Sequence, residues 1–173
     1  DVAPSRGLGD VYKRQSQHMA AKDEIEFNNR YAELQKQIVI EITEEESIDY
    51  HALEIKRNAP GFEGAFALDD YGSGYSNEKS LLDLAPKYIK VDLSIIRDID
   101  TDPDKQQIVE NIVAYAHKRD MKIVAEGLET PEEIQKVLEL EVDLLQGFYL
   151  AHPEPVPGNI NEDALKIIAA FYK

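Results

Sequence analysis

The sequence predicts an α/β fold: an incomplete TIM-like (β/α) barrel with parallel strands. Three observations lead there. From Ala21 onward, β-branched runs alternate with helical stretches, which is the signature of βαβ units and a parallel sheet. Each run divides into one bulky apolar face and one smaller face that ends in charge. That suits a barrel interior better than a doubly wound sheet, which buries large apolar groups on both faces. Finally, the chain has 173 residues, whereas a closed (β/α)₈ barrel typically takes roughly 200 to 250.

The elements follow in order. Asp23 to Gln37 is expected to be a helix with acids early. Ile38 to Thr43 (IVIEIT) is β-branched and reads as a strand. Asp49 to Asn58 is helical, and Pro60-Gly61 closes it. Gly64 to Asp69 (GAFALD) is the second strand. Asn77 to Leu84 is a short helix stopped by Pro86. Tyr88 to Asp92 (YIKVD) is the third strand. Asp102 caps a helix that has Pro103 at its first position and runs to about Arg119. Met121 to Ala125 (MKIVA) is the fourth strand. Thr130-Pro-Glu-Glu133 is a capping box that opens the next helix. Val142 to Leu145 is the fifth strand, and Asn161 caps a final helix to Lys173.

The strand faces follow from the two-residue period. Ile38, Ile40 and Ile42 oppose Val39, Glu41 and Thr43. Phe66 and Leu68 oppose Ala65, Ala67 and Asp69. Ile89 and Val91 oppose Tyr88, Lys90 and Asp92. Ile123 and Ala125 oppose Val124 and Glu126. The bulky face is expected to meet a layer of helices.

Composition removes several classes of function. Nineteen Lys and Arg against 34 Asp and Glu leave a formal charge of −15. Nucleic-acid polymers and anionic membranes both need a basic footprint, so neither is an expected partner. The absence of cysteine excludes a disulfide scaffold, thiolate zinc and a cysteine nucleophile. No apolar run approaches the roughly 18 residues of a membrane-spanning helix. Asp1 to Gln15 carries three basic residues and no periodicity. It is read as a non-native or disordered leader and set apart from the fold, GLGDVYKRQ resembling a translated sequencing-adapter read-through.

The chemistry lies at the strand ends: Glu41, then Asp69-Asp70, then Lys90 and Asp92, then Glu126, with Gln146-Gly147 closing the fifth. Acids that merely begin loops are ordinary in so acidic a chain. Four successive strand ends on the face opposite the apolar one are not. Parallel strands bring their C-terminal ends together, so these groups converge. Carboxylates sharing one cleft repel each other, and bound cations relieve the repulsion. Ligands that are all oxygen favour Mg²⁺ or Mn²⁺ over zinc. An Asp-Asp pair can bridge two metals, an arrangement that activates water for in-line phosphoryl displacement. Lys90 adds a cation suited to the attacking water or a phosphate oxygen. The loop Asp70 to Ser76 carries Gly72, Ser73 and Gly74. Its glycines allow positive φ or close approach. It completes neither a dinucleotide-binding fingerprint, since Asn77 stands at the third glycine position, nor a nucleophile elbow. Glu44 and Glu129 each follow a strand-end glutamate by three residues. Either is a supporting polar group or a solvated helix start. Glu133 is assigned to its capping box alone.

Taken together, Glu41-Ile-Thr-Glu44, Asp69 to Ser76, Lys90-Val-Asp92, Val124 to Thr130 and Gln146 to Leu150 resemble the successive signatures of EAL domains in order and spacing. The family comprises bacterial phosphodiesterases that linearise cyclic di-GMP on a TIM-like barrel with two Mg²⁺ or Mn²⁺ ions. The resemblance implies Glu41 as a ligand of the first metal, Asp69 as the bridge and Asp70 as a ligand of the second. It makes Lys90 the holder of the hydrolytic water or a phosphate oxygen, and Glu126 the general base or a neighbouring ligand. It gives Glu129 and Gln146 supporting roles, with Glu44 anchoring the Asp70–Ser76 loop. In the family that loop serves coordination and dimerisation, so cyclic di-GMP is the implied partner, with a homodimer contact through the loop. A cytoplasmic bacterial location follows.

The sequence also departs from the family. The Glu-Ala-Leu segment for which the family is named, and the asparagine ligand on the strand after it, do not occur; Ala52-Leu53-Glu54 has the wrong order and place. The expectation is that residues 16–173 are a truncated EAL-like domain whose opening strands, with two first-metal ligands, are missing. Hydrolysis then belongs to the parent protein and the chain itself is inactive. The alternative is a non-catalytic module that binds cyclic di-GMP or a protein.

Overall fold

The computed structural model describes residues 39–43, 50–58, 64–74, 78–154 and 158–172. Among these the chain runs β1 (Val39–Ile42), α1 (Tyr50–Arg57), β2 (Ala65–Tyr71), α2 (Glu78–Leu84), β3 (Tyr88–Val91) and α3 (Leu93–Ile96). It continues through α4 (Pro103–His117), β4 (Lys122–Ala125), α5 (Pro131–Glu139), β5 (Leu144–Leu145) and α6 (Glu162–Phe171). The helix expected over 23–37 and the Pro60-Gly61 turn lie outside the described residues.

The five strands form one parallel sheet in the order β1-β2-β3-β4-β5. A doubly wound sheet reverses its strand order at a switch point. Here each strand is added beside its predecessor, as around a barrel wall. Right-handed crossovers then put successive helices on one face. The register aligns the bulky residues across the strands: Ile40 with Phe66, Leu68 with Ile89, and Ile89 with Ile123. All of these are buried and share one core cluster with Leu53 of α1, Leu84 of α2, Val109 of α4 and Ile134 of α5. The other face keeps Ala67, Asp69 and Lys90, likewise buried. Covering one face with helices leaves the polar groups on the inner one.

The helix caps follow the sequence signals. The Asp102 carboxylate accepts from the N–H groups of Asp104 and Lys105, and Thr130 and Glu133 make a reciprocal capping box. Several boundaries differ from expectation. The helix expected to reach Arg119 stops at His117, because Asp120 takes a left-handed conformation (φ 57°) and the Met121 N–H turns back to the Ala116 carbonyl. The fifth strand begins at Leu144, not Val142, whose N–H donates to Val137 at the end of α5. The third strand stops at Val91, because Asp92 caps α3, accepting from the Ser94 N–H at 2.9 Å. The four-residue helix α3 is too short to show a period, so the sequence does not disclose it.

Candidate active site

Three strand ends meet on one lysine. The Lys90 ammonium lies 3.0 Å from Glu41, 2.7 Å from Asp69 and 2.6 Å from Glu126. β1, β2 and β4 thus each present a carboxylate to the cation of β3. Burial opposes the Lys90 charge, but Glu126, then Asp69, then Glu41 outweigh it and raise its pKa above the ordinary 10.5. Lys90 is a fixed cation at neutral pH, not a proton acceptor.

Asp69 and Asp70 are adjacent, and adjacent strand residues ordinarily point to opposite faces. The structure resolves that difficulty with a β-bulge. Leu68 pairs with Ile89 but Tyr71 pairs with Val91, so β2 advances three residues while β3 advances two. Asp70 takes φ 55° within this step. An extra residue re-aims the side chains next to it. As a result Asp69, Asp70 and Glu126 each place a carboxylate oxygen within 4.8 Å of the other two. Oxygen ligands on one divalent cation stand at most about 4 to 5 Å apart, twice a bond of about 2.0–2.6 Å. The donor set therefore fits a hard divalent cation.

The bulge opens into the predicted loop. Gly72 and Gly74 both have φ 101°, one of the two conformational uses the sequence allowed them, and the Ser73 N–H donates to the Asp70 carbonyl at 3.1 Å. At Gly72 a Cβ would also come within 2.7 Å of Ile95 Cγ1. Glu44, Tyr75 and Ser76 lie outside the described residues.

The supporting residues divide. The Asp92 carboxylate serves as the α3 cap. Glu129 accepts from Arg97 at 2.6 Å, and the guanidinium holds its carboxyl below the ordinary value. The pair joins the loops after β3 and β4. Gln146 is exposed at the end of β5, where its backbone bonds to Ala125 and Leu128 carry the ladder onward.

Two residues matter more than the sequence reading allowed. Glu133 is 1% exposed and takes N–H groups from Asp98, Glu129 and Thr130. It does more than cap a helix. Gly147 packs on backbone: a Cβ there would stand 2.1 Å from the Leu128 carbonyl oxygen and 2.3 Å from the Leu128 nitrogen. Backbone atoms cannot swing aside as a side-chain end can. Gly147→Ala is expected to destabilise the protein by about 1–3 kcal/mol, the usual range for overpacking. Urea unfolding checks this, and an unchanged midpoint would contradict it.

Comparison with known proteins gives the arrangement its context. A family model of the EAL domain matches residues 13–153. The chain is 32% identical over 131 residues to the probable cyclic di-GMP phosphodiesterase PdeG of Escherichia coli strain K12, covering 75% of this chain and 26% of that protein. It therefore spans about a quarter of that relative's length. Among solved structures it is similar to a standalone versatile EAL protein from Vibrio cholerae O395 in its c-di-GMP-bound form. There the TM-score is 0.73 and the identity 27%, over 87% of this chain and 65% of the other. It is also similar to Klebsiella pneumoniae BlrP1 in a manganese/cyclic di-GMP complex, with TM-score 0.69 and 31% identity over 79% of this chain and 36% of that one. Among the described residues, no helix is long and apolar enough to cross a membrane. The family match takes in most of the sequence, both described and undescribed, and the chain belongs to the EAL domain family.

Proposed function

We propose that the protein to which this domain belongs hydrolyses cyclic di-GMP to linear pGpG with Mg²⁺ or Mn²⁺. The carrying observation is the approach of Asp69, Asp70 and Glu126 to within 4.8 Å of one another, beside the Lys90 ammonium 2.6 Å from Glu126. The reaction consumes one water. Its oxygen joins phosphorus as the P–O3′ bond breaks, and the 3′ oxygen leaves with a proton. Asp69 and Asp70 would hold the cations, with Glu41 at the first. Bound divalent cations supply Lewis-acid polarisation of the phosphodiester and lower the pKa of water. Glu126 takes the proton of the attacking water. Lys90 holds the three carboxylates in register and turns positive charge toward the phosphoryl oxygens, where charge grows in the transition state.

The same reading treats residues 16–173 as the EAL-type part of the protein, working in the cytoplasm with cyclic di-GMP as partner. It gives Glu44, Asp92, Glu129, Gln146 and the Gly72-Ser73-Gly74 loop supporting roles, and the Asp70–Ser76 loop a homodimer contact. The test is incubation of the protein expressed from its complete gene with cyclic di-GMP and Mn²⁺ or Mg²⁺, resolving products by chromatography. Appearance of pGpG only with the divalent ion is expected. Tight binding by calorimetry without pGpG would make the protein a binding module.

A further inference from the structure

We infer that Glu133 is a positioning residue that sets Glu126 against Lys90; the inference rests on the functional reading above. Glu133 begins α5 outside the carboxylate cluster, yet it is as buried as Asp69. Both of its oxygens are engaged. Oε2 accepts the Glu129 N–H at 2.8 Å and the Thr130 N–H at 3.1 Å. Oε1 accepts the Asp98 N–H at 3.0 Å, from a residue 35 positions earlier. A capping box requires only the Thr130 contact.

The two additional bonds reach the two loops that carry the chemistry. Asp98 follows α3 in the loop after β3, the strand of Lys90. Glu129 lies three residues after Glu126, in the loop after β4. Asp98 also has φ 57°, a conformation that costs a non-glycine residue energy and persists where surrounding bonds hold it. The Glu126 backbone is tied in front by its N–H to the Val91 carbonyl at 3.2 Å. Glu133 ties the same loop behind. One buried carboxylate therefore fixes the spacing between the loops on either side of the Lys90–Glu126 pair. The Arg97–Glu129 pair spans the same loops but is solvent-exposed, so water screens it.

Glu133→Gln keeps the shape, removes the charge, and puts an amide donor where one oxygen accepted. Thr130→Ala is the control. It removes the other half of the capping box and weakens the helix start, while leaving the Asp98 and Glu129 bonds in place. With the protein expressed from its complete gene, Glu133→Gln should lower kcat for cyclic di-GMP and weaken Mn²⁺ binding by roughly 10- to 100-fold, as loss of a group that orients metal ligands does. KM and the Thr130→Ala kcat should stay within about twofold of the parent, since neither variant alters a group that touches substrate. Glu133→Asp, which keeps the charge but shortens the reach, is read the same way should Glu133→Gln fail to fold. An unchanged kcat in the Glu133 variants, or an equal loss in Thr130→Ala, would overturn the inference. If the parent makes no pGpG, the functional reading fails by itself. The Mn²⁺ dissociation constant then decides this inference: weakened by Glu133→Gln alone it stands, and unchanged it falls.

Discussion

Glu126→Gln is expected to lower cyclic di-GMP hydrolysis by about 10²- to 10⁴-fold, the range a positioned general base contributes. The carboxamide has the same length, and its oxygen can still accept from the Lys90 ammonium, which lies 2.6 Å from Glu126. Position and packing are therefore retained, and the loss isolates the charge. A carboxamide can neither take a proton from water nor pair as an anion with a divalent cation. Because the substituted group acts on the water rather than on the dinucleotide, the fall should lie in kcat while KM moves little. Rates are measured by pGpG formation at saturating Mn²⁺, with circular dichroism confirming the fold. A variant keeping more than about a tenth of the parental kcat, a barrier change under about 1.4 kcal/mol, would remove Glu126 from the proton transfer.

The parts of this site that were legible in the sequence are those governed by a local period. Ile40, Phe66, Leu68, Ile89 and Ile123 lie in the helix-covered core because alternation along a strand decides which face a residue takes. The same alternation brings Glu41, Lys90 and Glu126 together, since parallel neighbours in sequential order put like faces side by side. The illegible parts depend on partners distant in sequence. The bulge at Asp69-Asp70 is a mismatch between β2 and β3, and neither strand shows it alone. Alternation by itself would have sent Asp70 away from the cluster. Asp92 ends a strand with an acid and so reads as a site residue, although its carboxylate caps a helix too short to announce itself. Glu133 carries the local mark of a capping box, but its bond to Asp98 joins segments that become neighbours only in the folded barrel wall. For Gly147, the only trace was its place directly after Gln146 at a strand end. The need for glycine lies in the Leu128 backbone opposite.

Lys90→Met should destabilise the protein in the absence of divalent cations by about 3–5 kcal/mol, the cost of leaving buried charge uncompensated when one partner is removed. Methionine fills nearly the same length and can follow the same path between the strands, so little of the loss comes from a cavity. What disappears is the ammonium that lies within 3.0 Å of Glu41, Asp69 and Glu126 together. Because the folded state raises the lysine pKa, the stabilisation is fully present below the unfolded value of 10.5 and is lost only as pH climbs beyond it. At pH 7 the whole contribution is therefore at stake. The three carboxylates then repel one another in a site with little water to screen them. A divalent cation on Asp69, Asp70 and Glu126 supplies the missing charge by another route. Binding to the folded state alone stabilises it by about 2.7 kcal/mol at a hundredfold excess over Kd. Mn²⁺ should thus restore a larger share of stability to Lys90→Met than it adds to the parent, because only the variant lacks the Lys90 ammonium. Urea unfolding of both proteins in EDTA and in Mn²⁺ measures the four midpoints. Equal midpoints for the two proteins in EDTA would show that the carboxylates are held apart by something other than Lys90. An equal Mn²⁺ increment in both would show that ammonium and metal do not answer the same charge.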